Sequence, residues 1–307
     1  MNRTLRIHNY GGADAVQIDQ TPVPQAGRDE VVVRVHAAGI NGLDWKIRDG
    51  ALKEVFQLPL PITLGVELAG VVTALGTDVT GLRIGERVMG ALGSLGAYAD
   101  HVAIAAGKLA RIPDALNDVQ AAAMPVAAMT AWQALFEAGE LRGGQTVLIH
   151  GASGGVGGFA VQFAKRAGAR VIATASMVNA EYLRALGADQ VIDYRSADFR
   201  EQVRDVALVL DLVGGETLAR SWQVLANDGK IVSTAAPEIM GRIPAGKRGA
   251  WLAMRPDGAQ LSEIAALAAV GELRIQVSEV VELDDAGTAI ERNKTGHGAG
   301  KAVIKFQ

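Results

Sequence analysis

The stretch from Thr146 to Ser176, TVLIHGASGGVGGFAVQFAKRAGARVIATAS, carries the sharpest chemical signal in the chain. An apolar run ends at His150, a Gly-rich turn follows, and a helical pattern opens near Gly155. Such a place suits a phosphate. Unpaired N–H groups and the helix dipole favour an anion, and glycine lets it reach the backbone. Gly154, Gly155 and Gly157, with Val156 between them, are therefore candidates to hold a dinucleotide. Ala152 stands where the Gly-x-Gly-x-x-Gly pattern has its first glycine, a departure of one methyl group. A Gly-rich turn alone needs no ligand, but strand, turn, helix and second strand in order favour a dinucleotide.

The end of the second strand decides which dinucleotide. An acid there, about 20 residues on, would bind both ribose hydroxyls of NAD. Here the residues are Ala173-Thr174-Ala175-Ser176-Met177-Val178, with no carboxylate before Glu181. The missing acid removes the repulsion that a 2′-phosphate would meet, and Ser176 offers it a hydroxyl. NADPH is the expected cofactor, with Thr174 and Ser176 beside its ribose. No Lys or Arg stands at 177 or 178, so Tyr194 and Arg195, after the third strand, are the candidates to supply what is missing. Either is equally at home as a solvated loop residue.

Two textures must position these residues. From about Val31 to Ile112 short β-rich runs (EVVVRVHAAGI, GVELAGVVTALG, GERVMGALG, AYADHVAIA) alternate with Gly and Pro, which predicts a small barrel-like β domain. From Asp118 onward helical segments around Pro125 give way to strands and helices in alternation: TVLIH, GGFAVQFAKRAG, RVIATAS, NAEYLRALG, QVIDY, VALVLDLVG and KIVSTA. That rhythm predicts a parallel, doubly wound α/β sheet. The tail from Glu272 returns to strand texture and is expected to rejoin the first domain. The expected division is 1–120 with 255–307, around an inserted 121–254.

Composition narrows the classes. The 307 residues carry 30 Lys plus Arg against 33 Asp plus Glu, so neither nucleic acid nor an anionic membrane is an expected partner. There is no Cys, which removes disulfides, catalytic thiols and thiolate metal sites and suits a reducing cytoplasm. The opening MNRTLRIHNYGG lacks the apolar run of a signal peptide, and the apolar stretch 121–136 is too short to cross a bilayer. A soluble, cytoplasmic protein is expected.

Segments along nearly the whole chain resemble the medium-chain dehydrogenase/reductase superfamily. They are AAGINGLDWKIRDG (37–50), PITLGVELAGVVTALG (61–76), GERVMG (85–90), GAYADHV (96–102), PVAAMTAWQAL (125–135) and VLDLVGGETL (209–218). The resemblance implies a Rossmann cofactor domain inserted in a discontinuous GroES-like β-rich domain, with the site between them, and a homodimer formed by edge pairing of the two cofactor sheets. Short-chain dehydrogenases fit less well, because none of Tyr10, Tyr98, Tyr182 and Tyr194 has a Lys four residues later.

Departures from the zinc-dependent branch carry the functional expectation. The resemblance places its three zinc ligands at Asn41, Val66 and Val126, and two valines cannot bind a cation. Leu43 replaces the hydroxyl that relays the alcohol proton, and only a short loop stands where the structural zinc lobe would be. No metal is expected. Without a Lewis acid, hydride addition to a quinone or an activated C=C bond is the easier chemistry, its oxyanion held by hydrogen bonds. Zeta-crystallin-like quinone reductases and plant-type enone reductases do this. The run Asn41-Gly42-Leu43-Asp44-Trp45-Lys46 is similar to their Asn-Pro-x-Asp pattern. Some quinone reductases carry tyrosines at the positions of Lys46 and Leu52, and their absence shifts weight to the enone branch.

The expected catalytic residues are Asn41, lining the nicotinamide site, and Lys46, a cation for the developing enolate that Asp44 would orient. Thr130, Leu212 and Val213 are further expected cofactor contacts. Each has a plainer alternative: Asn41 a turn residue, Lys46 an exposed lysine, Thr130 a small helix residue, and Leu212 with Val213 strand-end packing. Glu67 is expected to be buried and paired with a cation. Lys301 resembles the family's terminal Gly-Lys. The histidines at 8, 36, 101, 150 and 297 show neither metal-ligand spacing nor an acid–base set. The expected substrate is a small electrophile. The alternatives are an enoyl-thioester reductase, disfavoured for want of a carrier-binding tract, and an NADPH-binding protein with little catalytic duty.

Overall fold

Strand Glu30–Gly39 organises the first of two units in the computed structural model, which describes residues 1–296 and 298–306. Its EVVVRVHAAG pattern buries all its positions except Glu30, Arg34 and His36, as befits a strand with neighbours on both edges and apolar cover. It pairs antiparallel with Glu67–Leu75, with His101–Ala105 and with Lys301–Lys305. The sheet extends through Val277–Glu282 on one side and through Arg87–Ala91 and Leu109–Arg111 on the other. A smaller sheet of Val16–Thr21, Asn2–Ile7 and Ile62–Thr63 covers one flank. Leu5, Ile7, Val33, Leu64, Leu68, Val72, Tyr98 and Ile304 are fully buried in the shared core.

The unit comprises 1–126 and 256–307, and Lys301–Lys305 pairs with Glu30–Gly39 within it. Its first border falls at 126, beyond the expected 120, because helix Asp118–Ala122 packs on the strands Glu30–Gly39 and Glu67–Leu75. Two helices stand where the tail's texture points to strands alone or to nothing in particular. Gly258–Ala269 is capped by the Asp257 carboxylate, and Ala286–Thr295 ends at Gly296 in the left-handed region. His297 and Gln307 lie outside the described residues.

The second unit, 127–255, is built on six parallel strands. In spatial order they are Gln190–Asp193, Arg170–Ala175, Thr146–His150, Val206–Asp211, Leu225–Ser233 and Arg248–Trp251. This is the doubly wound order, with its reversal between Thr146–His150 and Val206–Asp211. Those two central strands read as near-continuous apolar runs because helices cover both faces. The edge strand RGAW has no alternating pattern and is not legible in the sequence; its neighbour's free backbone groups specify it.

Candidate functional site

The turn after Thr146–His150 is the expected dinucleotide contact of the second unit. Gly151 sits at φ +69°, in the left-handed region, and lets the chain reverse beside Leu212 and Val213. Gly154 is the extended N-cap of helix Gly155–Arg166. Helix geometry leaves the N–H groups of Gly155, Val156 and Gly157 without intrahelical acceptors, which makes them available to a phosphate. Gly157 answers to packing: a Cβ there would lie 2.5 Å from the carbonyl oxygens of both Gly151 and Ala152. The buried methyl of Ala152 is accommodated without a glycine.

Register brings the other candidates to the same carboxyl edge. Thr174 lies opposite His150, Asp193 opposite Ala175, and Asp211 opposite His150 on the other side. Ser176 is buried and its hydroxyl accepts from the Asn179 amide at 3.3 Å. Tyr194 is 57% exposed just past its strand, and the Arg195 guanidinium lies against its ring and hydroxyl. Leu212 and Val213 flank the turn, and Val213 is exposed. Thr130 is buried on helix Pro125–Trp132.

A histidine relay beneath the turn is invisible in the sequence. Ser221 Oγ donates to the Thr217 carbonyl at 2.6 Å, so its lone pair is what faces His150 Nε2 at 3.0 Å. His150 therefore carries its proton on Nε2, and Nδ1 accepts from the Thr174 hydroxyl at 2.9 Å. Burial pushes the imidazole down to about 3, which keeps it neutral. Thr174 has spent its proton on His150 and offers a ligand only a lone pair. Asp211 does similar work next door, accepting from the Val213 and Gly214 N–H groups and from Ser233. It fixes the loop that carries Val213.

In the first unit Asn41 is the N-cap of helix Gly42–Arg48 and part of a buried polar cluster. Its Nδ2 donates to Glu67 Oε1 at 2.8 Å and to the Gly39 carbonyl at 3.2 Å. Its Oδ1 accepts from Lys301 Nζ at 2.5 Å, and that ammonium also pairs with Glu67 Oε1 at 2.5 Å. Both amide protons of Asn41 are thus committed, and the flip is dictated by its neighbours. What Asn41 can still offer is an Oδ1 lone pair. Glu67 Oε2 accepts from the Val126 N–H at 2.7 Å. The buried, cation-paired glutamate is as the sequence predicts; that its partner is Lys301 is not.

The expected link from Asp44 to Lys46 is absent. Residues two apart on a helix point to different sides. Asp44 is fully buried and accepts from the Asn41 N–H at 2.7 Å, the Gly65 N–H at 3.3 Å and the Tyr98 hydroxyl at 2.6 Å. Lys46 is half-buried, and its ammonium lies 5.6 Å from the centroid of the Trp45 ring. Tyr98 lies in the segment GAYADHV, but nothing in that segment marks it as the partner of Asp44.

Burial raises the Asp44 carboxyl to about 6, against the opposing effect of the Tyr98 hydrogen bond. Protonated, Asp44 can donate to Tyr98, which then turns its own proton to the Gly39 carbonyl at 3.0 Å. A folded pKa above the unfolded value of about 3.9 means stability that is full below pH 4 and lost as pH rises through 6. Wild type is expected to lose about 3 kcal/mol relative to Asp44→Asn between pH 4 and 7. Urea midpoints for the two proteins across that range check it; parallel profiles would refute it.

Among the described residues no three His, Asp or Glu side chains converge as a metal site. His36 pairs with Asp118 at 2.7 Å and His8 with Asp19 at 3.0 Å, two pairings that the sequence spacing conceals. No helix among the described residues is long and apolar enough to cross a membrane.

Comparison with known proteins agrees with this geometry. The alcohol dehydrogenase GroES-like domain family matches residues 27–114, and the zinc-binding dehydrogenase family matches 186–304. A quinone oxidoreductase of Pseudomonas aeruginosa is 33% identical, over 99% of this chain and 99% of its own. A phenolphthiocerol/phthiocerol polyketide synthase polypeptide of Mycobacterium tuberculosis is 34% identical over 98% of this chain, which spans only 15% of that much longer protein. The crystal structure of Escherichia coli quinone oxidoreductase complexed with NADPH superposes with a TM-score of 0.90 at 29% identity, covering 100% of both chains. The chain belongs to the medium-chain dehydrogenase/reductase superfamily, in its zinc-independent quinone oxidoreductase branch.

Proposed function

We propose that the protein is an NADPH-dependent oxidoreductase that reduces quinones or the activated C=C bond of enones and enals without a metal. The observation that carries this reading is the cluster around Asn41. Lys301, an internal ammonium, supplies the positive charge that Asn41 Oδ1 and Glu67 face. Val66 and Val126 offer no ligands beside it.

The cofactor fits the second unit. The N–H groups of 155–157 suit a pyrophosphate, and the close packing at Gly157 leaves the turn no freedom to drift. Ser176 in place of an acid, with Tyr194 and Arg195 exposed beyond it, suits a 2′-phosphate. When bound, NADPH supplies a hydride. Asn41 presents one lone pair to a carboxamide or hydroxyl donor. Lys46, not tied to Asp44, is the cation proposed to stabilise charge on the substrate oxygen. Thr130, Leu212 and Val213 are proposed to line the nicotinamide.

An enoyl-thioester substrate is the second reading, favoured by the relative within a polyketide synthase. NADPH oxidation against quinones, enals and enoyl thioesters separates the readings. Turnover of a quinone or enone, undiminished by chelators and faster with NADPH than NADH, is expected; turnover of thioesters alone would select the second reading. No turnover of any acceptor would leave an NADPH-binding protein. In the same assay Lys46→Met is expected to lower turnover on the order of 100-fold with NADPH affinity kept. A wild-type rate would remove Lys46 from the chemistry. We also propose a homodimer through the edge strand Arg248–Trp251, whose outer backbone groups are unpaired among the described strands. Light scattering showing a monomer at micromolar concentration would refute that. A chain without Cys fits a reducing, cytoplasmic setting.

A further inference from the structure

A cavity of about 240 Å³ opens at the opposite end of the second unit's sheet from the Gly-rich turn. It lies where strands Thr146–His150, Val206–Asp211 and Arg248–Trp251 begin, among Glu140, Arg142, Gln145, Asp228, Lys230 and Arg248. Nucleotides bind doubly wound sheets at the carboxyl ends of the strands, so this cavity is separate from the cofactor site.

Three cations against two carboxylates line it. Lys230 is the most shielded of them, its side chain only 16% exposed. Its ammonium meets Glu140 Oε1 at 3.0 Å, and Arg248 Nη2 grips the same carboxylate at 3.0 and 3.2 Å. Arg248 Nη1 donates to the Asp228 carbonyl at 3.3 Å, which fixes the guanidinium. Arg142 lines the same space, and its guanidinium has no ion-pair partner among the described residues. Glu140 is held at φ +56°, a conformation unfavourable for a side chain with a Cβ. Two cations are thus already arranged around a carboxylate, which the chain itself supplies from a strained residue, and a third waits beside them.

We propose that this cavity is a binding site for a small polyvalent oxyanion, bearing phosphate or carboxylate groups, that displaces the Glu140 carboxylate from Lys230 and Arg248. Arg142 takes the second anionic group, which Glu140 cannot provide. The charges favour anions of two or more negative charges over chloride, and a planar guanidinium matches carboxylate and phosphate oxygens in pairs. The proposal is independent of the oxidoreductase reading.

The test is calorimetric titration with pyrophosphate and with citrate, at constant ionic strength set by sodium chloride. Saturable binding of at least one is expected, and the better ligand tells phosphate from carboxylate sources. Glu140→Gly removes both the competing carboxylate and the backbone strain, and is expected to tighten binding about tenfold or more. Arg142→Ala, at an exposed residue, leaves the fold intact and is expected to weaken binding about tenfold. Lys230→Met is expected to weaken it further. Absence of binding in both wild type and Glu140→Gly would overturn the proposal. Binding that is unchanged in Arg142→Ala would also overturn it, because the anion would then lie elsewhere, for example on the Gly-rich turn.

Discussion

Lys301→Met is expected to destabilise the protein by about 3–5 kcal/mol, the usual cost of removing one partner of a buried ion pair. Glu67 has no exposed surface and faces the Lys301 ammonium at 2.5 Å. Without that ammonium it keeps the Asn41 amide and the Val126 N–H but loses its counter-charge. The cost comes from the carboxylate left behind, so Lys301→Met combined with Glu67→Gln should recover more than half of the loss. Urea unfolding of the two single variants and the double gives the coupling directly. Equal stability of Lys301→Met and wild type would show that water reaches Glu67. The same variants bear on the proposed role of Asn41, because it is oriented by both groups: its Oδ1 is held by one and its Nδ2 by the other.

Gly157→Val is expected to lower NADPH-supported turnover on the order of 100-fold or more, the scale of effect that a shift of about 1 Å produces in a positioned ligand. The new Cβ would meet two backbone oxygens at 2.5 Å, and neither can rotate away. Helix and turn must separate, and the N–H groups at its first turn move with them. Gly154→Ala is the informative contrast. A Cβ at 154 meets only the Gly151 oxygen at 3.5 Å, an ordinary contact, so the turn itself is undisturbed. Weaker NADPH binding in Gly154→Ala would therefore report the phosphate's own approach to the backbone. Fluorescence titration of NADPH, with circular dichroism as the folding control, measures both. Wild-type affinity and turnover in Gly157→Val would contradict the packing argument.

What could be seen in advance follows sequence distance. The turn 151–157 was legible because strand, turn and helix are contiguous and glycine has few other reasons to recur there. The inserted doubly wound unit was legible for the same reason, as a rhythm of local patterns. Asn41, Glu67 and Lys301 could each be singled out, but not joined: 260 residues separate Asn41 from Lys301, and no local pattern encodes a strand pairing of that span. The Asp44–Lys46 link failed on helix geometry, since proximity in sequence at a spacing of two is separation in space. The His150–Thr174–Ser221 relay was hidden because each residue alone is ordinary for a strand end or helix face. The short edge strand Arg248–Trp251 carries no pattern of its own.

The pairing of Lys301–Lys305 with Glu30–Gly39 has a consequence for the order in which the protein is made. Residues 127–255 form one uninterrupted segment that supplies all six strands of its own parallel sheet, so this unit can complete its folding during synthesis. The surrounding unit cannot. Until residues 301–305 have been added, Glu30–Gly39 lacks one neighbour and the carboxylate of Glu67 lacks its ammonium. The growing chain must therefore carry an incomplete β sheet, with a paired edge missing and a charge uncompensated, through the translation of some two hundred further residues. Closing so long a loop is slow and leaves that sheet exposed to wrong partners. A nascent chain stalled before residue 301 is thus expected to be the state of this protein most exposed to misfolding and aggregation.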